Sequence, residues 1–228
     1  MKVLKLIGVL LDYPGEALWE HRAELLAASA DPVLSPARSA ALGAFIVDLL
    51  DREAMVAQEN WLGLFDRGRA MSLLLFEHIH GESRDRGQAM VDLMETYRRA
   101  GLELDSRELP DYLPLFLEFL ASRPRAEVQD WLGHVAHILE VLAARAHERG
   151  SGYGLLFEVL VEIGRGQTDL ESARKRVARE TRDDTPEAMD AVWEEEAVRF
   201  GPEAPAQDCK PPHRLPTGVQ IAPAKVMP

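Results

Sequence analysis

Through most of the chain, apolar residues return every three or four positions. Leu42, Phe45, Ile46, Leu49 and Leu50 form one stripe, and Leu132, Val135, Ala136, Leu139, Leu142 and Ala143 form another along a helix expected from about Arg125 to Glu148. This spacing matches one face of an α-helix, so the pattern predicts amphipathic helices packed on a shared core. No alternation of period two lasts for the length of a strand, and no fixed-period repeat is present. Helix-end chemistry agrees: Ser35-Pro36 suits a cap followed by a first helical position, Gly101 suits a C-terminal cap, and Asp111 is expected to cap the helix that follows it. The expected fold is all-α, a single-domain bundle of about eight to ten helices spanning residues 1–200. Lys2 and Lys5 precede apolar residues as in a signal peptide, but Lys5 interrupts the run, Asp12-Tyr13-Pro14 ends it, and no small-residue cleavage site follows. A first core helix is therefore expected at the N-terminus.

Proline divides the rest. None occurs from Ala37 to Leu109 or from Arg125 to Thr185, whereas seven of the fourteen lie between Pro202 and Pro228. Proline breaks both helix and central strand, so 201–228 reads as a flexible tail. Beyond Gly164-Arg165-Gly166 comes a basic stretch (Arg174, Lys175, Arg176, Arg179, Arg182) and then an acidic one (Glu187, Asp190, Glu194, Glu195, Glu196). Such runs read as solvated helix faces or a connector over 170–200. A last helix is expected near Pro186–Phe200, anchored by Met189, Val192, Trp193 and Val198.

Composition sharpens this picture. Leu and Ala together number 61 of the 228 residues, against 27 for Val, Ile and Thr, which favours helix over pleated surface. The formal net charge of −12 repels nucleic acid and anionic membranes. A lone cysteine, Cys209, cannot form an internal disulfide, so a reducing cytoplasm is the expected compartment. No segment approaches the roughly 20 continuous apolar residues of a membrane span.

Catalytic motifs are scarce. No Gly-x-Ser-x-Gly, P-loop or Gly-x-Gly-x-x-Gly occurs, and Ser151-Gly152-Tyr153-Gly154 reads as a loop between helices. Glu77-His78-Ile79-His80 contains one Glu-x-x-His, but a di-metal bundle needs a second copy and two more glutamates. His134 and His137, near Asp130 and Glu140, offer a weak surface site. No enzyme, metal or cofactor is expected. A metal-binding or enzymatic bundle using Glu77, His80, His134 and His137 stands as the alternative, with a generic helical adaptor as the third reading. Two segments stand out instead. Trp61, Leu64 and Phe65 lead through a bend at Gly68 into Leu73–His80, and Leu109-Pro110-Asp111-Tyr112-Leu113-Pro114 opens a helix apolar on nearly every side except Glu118. Such a helix is either fully buried or buried on one side and open to a ligand on the other.

These segments carry a resemblance. Phe65-Asp66-Arg67-Gly68-Arg69, the run from Leu75-Phe76-Glu77-His78-Ile79-His80 through Asp92-Leu93, and Leu109 to Leu120 closely resemble the NarJ-type assembly chaperones of respiratory nitrate reductase. Those belong to the wider TorD/DmsD-like maturation chaperones, and the likeness spans roughly residues 1–165. The resemblance implies an all-helical cytoplasmic chaperone that binds the N-terminal peptide of the apo catalytic subunit, keeps it competent for molybdenum-cofactor insertion and delays its membrane attachment. It extends the candidate partners to proteins that deliver the molybdenum cofactor. In the wider family the peptide groove is associated with an aromatic followed by Leu-Phe, matched here by Trp61, Leu64 and Phe65. It is also associated with Pro-Asp-His, matched by Pro110, Asp111 and Tyr112. Tyr112 departs from the histidine, so no histidine role carries over. The candidate peptide-binding set is Trp61, Leu64, Phe65, Arg67, Arg69, Leu73, Phe76, Glu77, His80, Asp111, Tyr112, Leu115, Glu118 and Phe119. Leu and Phe at helical spacing suit the floor of a groove for an amphipathic peptide, with Leu115, Phe119, Leu73 and Phe76 as floor and Asp111 and Glu118 as acidic rim.

Overall fold

The computed structural model describes residues 1–81, 83–104, 108–164 and 170–196, with side chains as far as residue 191. Among them are α1 (Lys2–Leu11), α2 (Ala17–Glu20), α3 (Arg22–Ala28), α4 (Pro36–Leu50), α5 (Ala54–Phe65), α6 (Leu75–His80) and α7 (Asp85–Arg99). They continue with α8 (Leu113–Ala121), α9 (Arg125–Glu148), α10 (Gly154–Ile163), α11 (Leu170–Val177) and α12 (Pro186–Glu196). The only strand-like feature among the described residues is an isolated antiparallel bridge between Leu74 and Tyr112. The all-α bundle expected from periodicity is therefore observed. The twelve helices exceed the eight to ten expected because breaks create short ones. His21 leaves helical geometry between α2 and α3, and Gly81, at φ +53°, closes the six-residue α6. The tail 201–228, the anchor Val198 and the side chains of Val192 and Trp193 lie outside the described residues.

α1 packs on the core through one broad apolar face. Val3, Leu4, Leu6, Ile7, Leu10 and Leu11 are buried, while Lys5, Val9 and Asp12 point outward. Each fully buried Leu or Ile of this kind contributes roughly 1.5–3 kcal/mol. α1 packs along α8, whose Leu113, Phe116, Leu117 and Leu120 are buried. The Met1 ammonium donates to the Ala121 carbonyl at 2.7 Å, and the Tyr112 hydroxyl donates to Asp12 Oδ1 at 2.9 Å, so the two helices run antiparallel. Gly8 permits the approach: a Cβ there would lie 3.2 Å from the Pro114 carbonyl oxygen.

α9 and α10 form a helical hairpin, and α11 returns along α9 through Ala144, Ala173 and Val177. Arg174, Lys175, Arg176, Arg179 and Arg182 are exposed, as expected for a solvated basic face. The segment after α11 is not a free connector, however. Asp183 Oδ2 accepts from the Ala70 amide at 2.7 Å, and Arg149 pairs with Asp183 at 2.9 Å and Asp184 at 3.5 Å. Arg145 ties the Ala70 carbonyl to Glu180. Charged side chains here act as clamps because the Arg149 side chain is itself nearly buried.

Candidate functional site

Two cavities, of about 330 and 360 Å³, lie side by side between α1, α8 and the stretch following α7. Lys5, Leu115 and Glu118 line both. The first continues over Gly8, Val9, Asp12 and Tyr112, and the second over Tyr97, Leu102, Leu104 and Phe119. Val9 remains 48% exposed and Leu115 half-buried, so apolar surface is open to a partner. Asp12, Glu103, Glu108 and Glu118 surround it with negative charge. The Tyr112 hydroxyl is held protonated well above its usual range, first by burial and then by the neighbouring Asp12 carboxylate, which it reaches as a donor. This bond fixes the mouth of the groove by joining the start of α8 to the end of α1.

Of the candidate residues, Tyr112, Leu115, Glu118 and Phe119 meet here. Phe119 is only 3% exposed and packs against Tyr97, Phe116 and Trp131, so it supports the groove more than it faces it. The Arg123 guanidinium lies 5.4 Å from its ring centroid.

Leu73, Phe76, Glu77, His80 and Asp111 form a second group where the chain before α6 crosses the entry to α8. Leu113 N–H donates to the Leu73 carbonyl at 2.8 Å, and Leu75 N–H to the Asp111 carbonyl at 3.0 Å. Asp111 has no exposed surface, so it is not an acidic rim; burial follows from its role between two segments. Nor does it cap α8, whose N-cap is Tyr112. Its Oδ2 accepts from Phe76 N–H at 2.9 Å and thus serves α6 instead. Leu73 is core rather than groove floor. Phe76 is half-buried against His80, and Glu77 pairs with Arg86 at 3.4 Å. Burial holds the intervening His78 imidazole below its ordinary pKa, although its Nε2 contacts the Ser72 carbonyl oxygen at 2.8 Å.

Trp61, Leu64 and Phe65 make the third group. Trp61 donates through Nε1 to the Leu11 carbonyl and meets Tyr13 edge-on, and Phe65 packs edge-on against Tyr153 and Phe157. Leu64 and Phe65 are core residues. Past them the chain is extended at Gly68 and makes a 3-10 turn over Arg69–Met71 in place of a simple bend. Arg67 and Arg69 are exposed. Arg67 borders a separate polar cavity of about 370 Å³ shared with Arg52, Arg149, Tyr153 and Asp184.

Glu77, His80, His134 and His137 do not converge: among the described residues no group of three or more His, Cys, Asp or Glu is arranged to hold a metal ion. No described helix is long and apolar enough to cross a membrane. Lys5, Val9 and Asp12 were not anticipated as groove residues. Their signal was present, since i, i+4 and i+7 share a helix face and Val9 is apolar on the polar side of α1.

Comparison with known proteins bears on this geometry. A family described as the nitrate reductase delta subunit matches residues 31–157. The chain is 50% identical over 198 residues to the nitrate reductase molybdenum cofactor assembly chaperone NarJ of Escherichia coli strain K12, spanning 86% of this chain and 84% of that protein. It is 46% identical over 200 residues to the probable assembly chaperone NarW of the same strain, spanning 88% and 84%. To the probable NarJ of Bacillus subtilis strain 168 it is 34% identical over 113 residues, spanning 48% and 58%. The family match takes in α4 to α9, with α8 and the crossing at Asp111 among them, and the chain belongs to the NarJ-type family of nitrate reductase molybdenum cofactor assembly chaperones.

Proposed function

We propose that this chaperone binds the N-terminal peptide of the apo catalytic subunit of respiratory nitrate reductase in the groove between α1 and α8. Occupancy keeps that subunit competent for molybdenum-cofactor insertion and delays its membrane attachment. The observation that carries the reading is the combination of open apolar surface at Val9 and Leu115 with a surround of Asp12, Glu103, Glu108 and Glu118. An amphipathic helix of net basic charge matches such a groove in both respects: its apolar face loses water and its basic side chains face the acidic rim. The names of the relatives, nitrate reductase molybdenum cofactor assembly chaperones, support the choice of client.

The test is calorimetric titration of the full chain with a synthetic N-terminal peptide of the catalytic subunit. Leu115→Ala removes a half-buried side chain at the centre of the groove and is expected to cost on the order of tenfold in affinity, from about 1.4 kcal/mol of lost burial. Glu118→Lys should also weaken binding. Phe119→Ala is a poor probe, because that ring holds Tyr97 and Trp131 in the core. Unchanged affinity in folded Leu115→Ala and Glu118→Lys variants moves the peptide elsewhere, first to the surface around Trp61 and Arg67.

A further inference from the structure

The groove comprises two adjoining cavities, or cups, that share Lys5, Leu115 and Glu118, and their offset sets a demand on its occupant. The first cup is lined along α8 by Tyr112, Pro114, Leu115 and Glu118, the second by Leu115, Glu118, Phe119 and Ser122. The lining shifts by three to four residues, an offset of about 5–6 Å at 1.5 Å per helical residue. Bulky side chains at i and i+4 of a second helix are about 6 Å apart along its axis and share a face. A helix lying along α8 therefore places one such side chain in each cup, astride Leu115.

The charges add a second demand. Of the charged residues lining the cups, four are acidic and Lys5 is the sole cation among those described. No ion pair joins Lys5 to any of them, and its side chain is exposed. Lys5 lines both cavities from α1, and Glu118 lines both from α8. In a bound helix with anchors at i and i+4, positions i+1 and i+3 flank the anchor face on opposite sides, since each residue advances about 100°. One flank faces Glu118 and the other faces Lys5. A peptide basic on both flanks sets like charges together at Lys5, within a Debye length of about 8–10 Å.

We propose that Lys5 is a specificity determinant of this site. The groove selects a helical peptide with two bulky apolar anchors at i and i+4, a basic residue on the flank facing Glu118 and an acidic residue on the flank facing Lys5. This rests on the groove being the peptide site.

The test uses the full chain and synthetic 15-residue peptides of Ala and Lys with two Leu anchors. Three carry anchors at i and i+4, with Asp at i+1 and Lys at i+3, with Lys at i+1 and Asp at i+3, or with Lys at both; a composition-matched control has anchors at i and i+2. One of the two Asp peptides should bind about fivefold tighter than the all-Lys peptide, the scale of an exposed ion pair formed in place of a repulsion. The i, i+2 control should bind at least tenfold more weakly than its i, i+4 counterpart. In Lys5→Glu, with an unchanged thermal midpoint, the all-Lys peptide should become the tightest of the three. Equal binding of the Asp and all-Lys peptides to the wild type, or an unchanged ranking in Lys5→Glu, overturns the proposal. The client peptide separates the two levels. If Leu115→Ala and Glu118→Lys weaken it while Lys5→Glu alters no ranking, only the role of Lys5 fails; if neither weakens it, the groove itself is wrong.

Discussion

Asp111 shows how one side chain joins segments distant in sequence. Its carbonyl accepts from Leu75 and its Oδ2 from Phe76, while Oδ1 has no hydrogen-bond partner among the described residues. Asp111→Ala strands the Phe76 amide, and losing a buried partner costs about 1–3 kcal/mol. Asp111→Asn keeps an oxygen acceptor and should lose less, so urea unfolding of the full chain should rank wild type, Asn, then Ala. Equal midpoints for Asn and Ala would show that the bond contributes nothing. Glu158 makes a prediction of a different kind. Burial alone pushes its carboxyl up, but hydrogen bonds from His147 and from Arg38, which also pairs with Glu162, outweigh burial and hold it below the ordinary value. A carboxylate depressed in the folded state stabilises fully above its unfolded pKa of about 4.3 and loses that contribution as pH falls through the lower folded value. The stability gap between wild type and Glu158→Gln should therefore be widest near neutral pH and shrink below about pH 4.3. A gap that widens on acidification contradicts this assignment.

At the level of helices, what the chain encodes locally was legible. The long helix expected from Arg125 to Glu148 occupies those bounds, the Ser35 hydroxyl accepts from Arg38 N–H at 3.2 Å, and Gly101 takes φ +78° beyond the end of α7. Each of these follows from apolar spacing or from chemistry within four residues of a helix end. The role of Asp111 was not legible, because a capping residue before one helix reads the same whether it serves that helix or another brought alongside. The docked segment after α11 was hidden for a similar reason, since Asp183 reaches Ala70 across 113 residues of sequence. That docking predicts an effect at Gly68, where an added Cβ would lie 2.6 Å from Asp183 Oδ2. Held by the Ala70 amide and Arg149, the carboxylate cannot swing aside without losing charge-assisted bonds worth about 1.5–3 kcal/mol. Gly68→Ala and Asp183→Ala should destabilise by comparable amounts and speed amide exchange over residues 178–185, whereas the double variant should cost little more than either alone. Additive losses would place the effect of Gly68 elsewhere.

For the whole molecule, charge sets how a partner arrives as well as how it is held. The net charge of −12 and the acidic groove favour approach of a basic peptide, and the family is one of assembly chaperones rather than catalysts. Residues 201–228 include seven prolines and few large apolar side chains, and on that composition truncation after Phe200 should leave the thermal midpoint and peptide affinity unchanged. A lost transition or lost binding would make the tail a working part of the fold. Salt separates the two contributions to binding at the proposed peptide site. Glu118 is exposed on the rim, so its attraction to a basic peptide is screened over about 10 Å at 0.1 M ionic strength and about 3 Å at 1 M. Leu115 contributes by removal from water, which simple screening leaves intact. Glu118→Lys should weaken the client peptide most at low salt and converge on wild type as salt rises, chiefly through a slower association rate. Leu115→Ala should lose about tenfold at every salt concentration, chiefly through faster release. Stopped-flow titration across that range tests both together: parallel salt dependence for wild type and Glu118→Lys would mean that the glutamate does not face the bound peptide.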